Sequence, residues 1–172
     1  DEVVARDFLW FAKPDATIVV TDATCLERNL NLALQVLEIT DRVVICVNLM
    51  DEAQRKGIKV NTDLLAEELG VPVIPTSARS KQGLDELINT VYELATGNIT
   101  SNPKPILYDR ELEEAIRELQ PKIEALLKGR LNSRWVALRL IEGDEKLLEG
   151  IKNYLSQEEE LEEDRMEEKC AQ

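Results

Sequence analysis

Residues 42–51 read RVVICVNLMD, and the change of character inside this stretch decides the fold. Val43 to Val47 form an unbroken apolar, β-branched run with Cys46 inside it, the mark of a strand covered on both faces. Asn48, Leu49, Met50 and Asp51 follow without a gap, so a polar, turn-forming quartet stands at the carboxyl end of that strand. Loops at the carboxyl ends of parallel strands are where open α/β sheets bind ligands.

Working outward, the neighbouring segments repeat the alternation. Residues 16–21 (ATIVVT) read as another strand buried on both faces, and 26–39 carry Leu30, Leu34 and Leu37 at helical spacing. Residues 62–69 (TDLLAEEL) read as a helix ending at Gly70, a suitable left-handed cap. A third, shorter strand is expected over 71–75 (VPVIP), and a helix over 84–94, ended by Gly97. Strands alternating with helices imply parallel strands joined by right-handed crossovers. The opening 1–11 is expected to be helical with Val4, Phe8 and Phe11 on one face, broken by Lys13-Pro14-Asp15. No strand precedes it, so the chain reads as entering an α/β unit midway.

Residues 96–106 (TGNITSNPKPI) are polar, with a glycine and two prolines, and read as a linker. Beyond it the periodicity is purely helical. Leu112, Ala115, Ile116, Leu119, Ile123, Leu126 and Leu127 form one stripe over 109–128, with Pro121 expected to kink that helix or start a new one. Asn132 or Ser133 is expected to cap a second helix carrying Trp135, Leu138 and Ile141 and closed by Gly143. Asp144 should cap a third, carrying Leu147, Leu148, Ile151, Tyr154 and Leu155. The expected division is 1–97 for the α/β part, 98–155 for a small helical bundle and 156–172 for an acidic tail.

Composition narrows the function classes. The 172 residues carry a net charge of −13, which argues against a nucleic-acid or anionic-membrane surface, since both need a basic footprint. Eight acids against Arg165 and Lys169 put −6 of that charge in 156–172. Metal capture is one reading of this tail and a solvated helix or frayed end the plainer one. Histidine is absent, which removes imidazole acid–base chemistry and His–metal sites. Cys25, Cys46 and Cys170 are far apart and form no CxxC, which fits a reduced, cytosolic setting without structural zinc.

Chemistry concentrates in two loops. In Asn48-Leu49-Met50-Asp51, the Asp can accept two hydrogen bonds from the ring N–H and exocyclic amine of guanine, a donor pair that adenine lacks. A site built on such pairing can reject the wrong base by roughly 10⁴ or more. The Asn can hydrogen-bond the far edge of the base and tie neighbouring loops together. The plainer alternative is an Asx turn capping a helix that starts near Asp51. Ser77-Ala78-Arg79 follows the third strand: in a base-binding loop the Ala78 N–H would face the guanine carbonyl oxygen and Ser77 would hold the loop's shape. A strand-to-helix turn is again the alternative, and the pairing of the two loops across an intervening helix is what favours base binding. Asp22-Ala23-Thr24 closes the first strand, where a helix-start turn is the simpler reading.

With these residues in place, NLMD and SAR resemble the fourth and fifth motifs of a TRAFAC-class GTPase. The stretches DEVVARDFL (1–9), KPD (13–15), DAT-LERNL (22–30), NLMDEAQRKGI (48–58), GVPVIPTSAR (70–79) and NSRWVALRLIEGD (132–144) are similar to the ferrous iron transport protein B family. The resemblance runs to about residue 155, and RWVALRLIEGD points to this family rather than to GTPases at large. It implies an α/β, partial Ras-like P-loop GTPase fold followed by a small α-helical bundle, the helical spacer. It implies a guanine-nucleotide-binding module, GTP or GDP being the ligand, that couples GTP binding and hydrolysis to Fe(II) uptake. The implied partner is a transmembrane permease part of the same protein, with self-association a further candidate, at the cytoplasmic face of the bacterial inner membrane. Carried over by position, Asn48 and Asp51 are the base-specificity pair and Ser77, Ala78 and Arg79 the fifth-motif loop. Leu49 stands where most small GTPases have a lysine packed over the base, and the change removes a cation–π-like contact.

The departures are equally informative. No G-x-x-x-x-G-K-[ST] and no D-x-P-G occur in the chain, and no switch threonine can be assigned. Mg²⁺ and the attacking water therefore have no identifiable ligands, Mg²⁺ being expected only in a complete G domain, and the chain is expected not to hydrolyse GTP alone. The strand at 16–21 is expected to lack its sheet partner, which a separate segment or chain would contribute unless it was lost. The competing function is a non-catalytic α/β scaffold or interaction domain that binds no nucleotide. A third reading makes the helical module the element that couples nucleotide state to a pore.

Overall fold

The computed structural model describes residues 5, 8–10, 12–129, 131–143, 149–154 and 156. The chain forms two compact units, Asp1–Leu107 and Tyr108–Gln172.

The first unit is built on a three-stranded parallel sheet, in order β1 (Thr17–Asp22), β2 (Val43–Asn48) and β3 (Val73–Pro75). The register sets Asp22 level with Asn48, and Cys46 level with Ile74. Helix α1 (Leu26–Ile39) connects β1 to β2. Helices α2 (Met50–Arg55) and α3 (Thr62–Leu69) connect β2 to β3, and α4 (Leu84–Ala95) follows. Side chains alternate across the pleat. Val43, Ile45 and Val47 face Val19, Val73, Ala33, Val36, Leu37 and Ala53, so α1 and α2 close that side. Val44 and Cys46 face Leu87 and Leu94 of α4.

Strand β1 departs from expectation. Val19 and Thr21 are buried, but Ile18 and Val20 are 44% and 59% exposed. Their register partners Val44 and Cys46 lie under α4, which covers β2 and β3 but not β1. Ile88 and Tyr92 of α4 are exposed as well. At the amino-terminal end the described helical residues bury Trp10 and pack Leu9 on the core, while Phe8 is exposed; Val4 and Phe11 lie outside the described residues. The polar stretch 96–106 is tied down: the Asn102 and Lys104 N–H groups donate to the Gly70 and Leu69 carbonyls at 2.9 and 3.1 Å, and the Ser101 hydroxyl bonds the Asp41 carbonyl.

The second unit begins with α5 (Arg110–Leu127), capped by Asp109, whose carboxylate accepts from the Leu112 N–H at 2.9 Å. The helix runs through Pro121 as one element rather than restarting there. Pro121 is exposed, so water can reach the backbone carbonyl its missing N–H leaves unpaired. Ile116, Ile123 and Leu127 are buried, whereas Leu126, expected in the stripe, is exposed. Helix α6 (Ser133–Glu142) is capped by Asn132, which accepts from the Trp135 N–H at 3.1 Å, and ends at Gly143. It buries Trp135, Val136, Ala137 and Leu138, while Ile141 is partly exposed. Arg134 forks onto the Glu113 carboxylate at 2.6 and 3.0 Å. Residues 149–154 are helical with Ile151 buried. Asp144, Leu147, Leu148, Leu155 and the tail from 157 onward lie outside the described residues.

Candidate functional site

The five residues singled out in the sequence, Asn48, Asp51, Ser77, Ala78 and Arg79, come together at the carboxyl ends of β2 and β3. Adjacent parallel strands deliver both loops to one edge of the sheet. Asn48 is the last residue of β2. Leu49 then takes a left-handed conformation at φ 62°, and α2 starts at Met50, which places Asp51 in its first turn. From β3 the chain passes through Thr76 and Ser77 into a single 3₁₀ turn, Ala78–Ser80.

Backbone bonds hold the loops side by side. The Thr76 N–H donates to the Val47 carbonyl at 2.8 Å, and the Met50 N–H to the Thr76 carbonyl at 3.1 Å. Ser77 and Gln82 pair through both of their backbone groups, pinching the Ser77–Gln82 loop closed. Gly83 makes this pinch feasible at φ 75°: a Cβ there would lie 2.2 Å from the Pro75 carbonyl oxygen.

Side chains complete the lacing. Ala78 N–H donates to Asn48 Oδ1 at 3.1 Å, and the Thr76 hydroxyl donates to the same oxygen at 3.3 Å. The Asp51 N–H donates to Ser77 Oγ at 3.1 Å. Ser77 and Thr76 are buried, and Asn48 is half-buried. Arg79 and Ala78 are exposed. The Asp51 carboxylate is partly exposed and meets the Arg55 guanidinium at 3.4 Å, one helical turn on. Arg55 and Thr76 were not singled out from the sequence. The i,i+4 spacing of an acid and an arginine was a usable signal for the first; a buried threonine gives none without coordinates.

The strand β1 turn borders this site. The Ala23 N–H donates to the Asn48 carbonyl at 2.9 Å. Asp22 Oδ1 accepts from the Thr24 N–H at 2.7 Å, and that backbone bond holds the Asp22 carboxyl below the usual aspartate range. Among the described residues no group of three or more His, Cys, Asp or Glu could hold a metal ion, and no helix is long and apolar enough to cross a membrane.

Comparison with known proteins gives consistent matches. The family described as "Ferrous iron transport protein B" matches residues 1–91, and the "FeoB cytosolic helical domain" family matches 108–171. The chain is 37% identical over 123 residues to the Fe(2+) transporter FeoB of Helicobacter pylori, covering 70% of this chain and 19% of that protein. To an Fe(2+) transport protein A/Fe(2+) transporter FeoB fusion protein of Porphyromonas gingivalis it is 38% identical over 151 residues, covering 86% and 18%. Among solved structures, the cytosolic domain of the T. maritima FeoB iron transporter in apo form superposes with a TM-score of 0.75 at 33% identity, over 88% of this chain and 60% of that one. Its GMPPNP form gives 0.75 at 32% identity, over 87% and 59%. The chain thus spans about a fifth of the length of the curated relatives it matches.

Proposed function

The chain belongs to the ferrous iron transport protein B family, and on that premise we propose that it supplies the guanine-reading part of a nucleotide site that regulates Fe(II) uptake. Asp51 accepts from the guanine ring N–H and exocyclic amine. Asn48 presents its side-chain NH₂ to the far edge of the base, its oxygen being taken by Ala78 and Thr76. Ser77 holds the Asp51 backbone, and Ala78 and Arg79 line the fifth-motif loop. The observation that carries this reading is the lacing of two loops at neighbouring parallel strand ends through Asn48–Ala78 and Asp51–Ser77. Such cross-bracing aims a carboxylate and an amide without help from the ligand, which preorganises recognition.

The same premise supports a G-domain part followed by a helical spacer, with the boundary near residue 107, where the compact units divide and the helical-domain match begins, rather than at 97, and with the spacer leading toward a permease in the inner membrane. No phosphate-loop motif lies in these 172 residues, so they read the base and not the phosphates.

A second reading, an α/β scaffold that binds no nucleotide, has its own support. Ala78 N–H is spent on Asn48 rather than left for a base carbonyl, and Arg55 occupies one edge of the Asp51 carboxylate. Titration of GDP and ADP into the ¹⁵N-labelled chain separates the two. Shifts at Asn48, Asp51 and Ala78 with GDP only, abolished in Asp51→Ala, are expected. No response to either nucleotide at millimolar concentration favours the scaffold.

A further inference from the structure

We propose that the buried thiol of Cys46 is a positioning residue for base recognition, donating a hydrogen bond that orients the Asn48 amide through Thr76; this rests on the guanine-reading function above. Thr76 Oγ1 lies 3.2 Å from Cys46 Sγ and 3.3 Å from Asn48 Oδ1. The sheet makes this trio. Cys46 and Asn48 are two residues apart on β2, on the same face, and Cys46 is level with Ile74, two residues before Thr76.

Hydrogen counting sets the direction. A backbone N–H can only donate, so the Asn48 atom 3.1 Å from the Ala78 nitrogen is the amide oxygen. That oxygen cannot donate to Thr76. The single Thr76 hydroxyl hydrogen therefore points to Oδ1, since otherwise two acceptors would face each other at 3.3 Å. The Thr76 oxygen is left to accept from its other neighbour, and the Cys46 S–H donates. Cys46 and Thr76 are 4% and 1% exposed, so bulk water does not reach this pair. The order is S–H to O–H to amide oxygen, each bond polarising the next. With Oδ1 holding two donors, the Asn48 NH₂ group is what remains for the acceptor N7 of guanine.

The ordinary role of a buried cysteine is that of a small hydrophobe, which valine fills equally well. Three readouts on the full chain separate that from a donor role. The first needs no ligand: the Cys46 S–H stretching band, isolated by infrared difference against Cys46→Ser, is expected at lower frequency than a thiol without an acceptor. The second follows the Asn48 side-chain NH₂ and Ala78 amide resonances, expected to move in Cys46→Val and to stay in place in Cys46→Ser. The third titrates GDP against 7-deaza-GDP, which lacks N7. Cys46→Val is expected to weaken GDP about three- to ten-fold, the worth of one neutral hydrogen bond, and to leave 7-deaza-GDP unchanged. Cys46→Ser should keep GDP affinity within about twofold.

An unshifted band with unmoved Asn48 and Ala78 resonances overturns the relay whatever the nucleotide does. Equal losses for both nucleotides overturn the positioning role and leave packing alone. A shifted band in a chain that distinguishes neither GDP from ADP nor GDP from its 7-deaza form sinks the guanine reading, and Cys46's part in it, while the relay itself is still measured.

Discussion

Leu49 shows how a single backbone conformation aims the site. A non-glycine residue in the left-handed region costs about 1–2 kcal/mol, and Leu49 sits there at φ 62° and ψ 31° without belonging to the core cluster on either face. The turn it makes directs α2 so that the Asp51 N–H meets Ser77 Oγ. Asparagine tolerates this region better than leucine. Leu49→Asn is expected to raise stability by about 0.5–1 kcal/mol, and β-branched Leu49→Val to lower it by at least as much, both read from urea unfolding. The pairing of NLMD with SAR was legible from residue types and their places after two apolar runs. The Asp51–Arg55 contact was readable from its i,i+4 spacing; the Cys46–Thr76 contact was not, because it depends on a distance between strands.

Among the elements, α5 and α6 are held together by the Glu113–Arg134 fork. The Arg134 hydrogen bonds, aided by the Tyr108 N–H, lower the Glu113 pKa from 4.5 to about 2. A carboxyl lowered on folding stabilises fully above its unfolded value, so this contribution is complete above pH 4.5 and is lost as pH falls toward 2. Acid unfolding followed at Trp135 is expected to be less steep across that window in Glu113→Gln, with a lower midpoint stability at pH 7. The second elemental feature is the return of 96–106 onto the end of α3. Gly70 caps that helix at φ 72°, and a Cβ there would lie 2.1 Å from the Asn102 carbonyl oxygen. Gly70→Ala is expected to cost about 1–3 kcal/mol and to speed amide exchange at Asn102 and Lys104. Unchanged exchange would show that the strap does not depend on this approach. Helix ends at Gly70, Asn132 and Gly143 were readable from capping chemistry. The strap was not, since a polar stretch with two prolines looks the same whether it is anchored or free. Pro121 was legible only in part: the helix does not restart there, because on an exposed face water can satisfy the carbonyl that the missing N–H leaves unpaired.

At the scale of the whole molecule, charge and surface decide behaviour. The net charge of −13 predicts no retention on heparin or duplex DNA even at low salt; salt-sensitive retention would reveal a basic face that composition does not suggest. The α/β order was legible because buried parallel strands read as apolar runs. Where helix cover stops was not, because β1 reads the same as β2 and yet α4 reaches only β2 and β3. That uneven cover sets the chain's colloidal behaviour. A bare apolar strip formed by Ile18 and Val20, beside a strand with no described neighbour on its outer side, is the surface that seeds clumping when proteins are concentrated or salted. Turbidity should therefore rise with ionic strength as charge repulsion is screened. One lysine in the strip, Val20→Lys, should delay its onset while leaving the amide spectrum of the Asn48 and Ser77 loops in place. The ceiling on how concentrated a sample can be would then be set by one side of one strand.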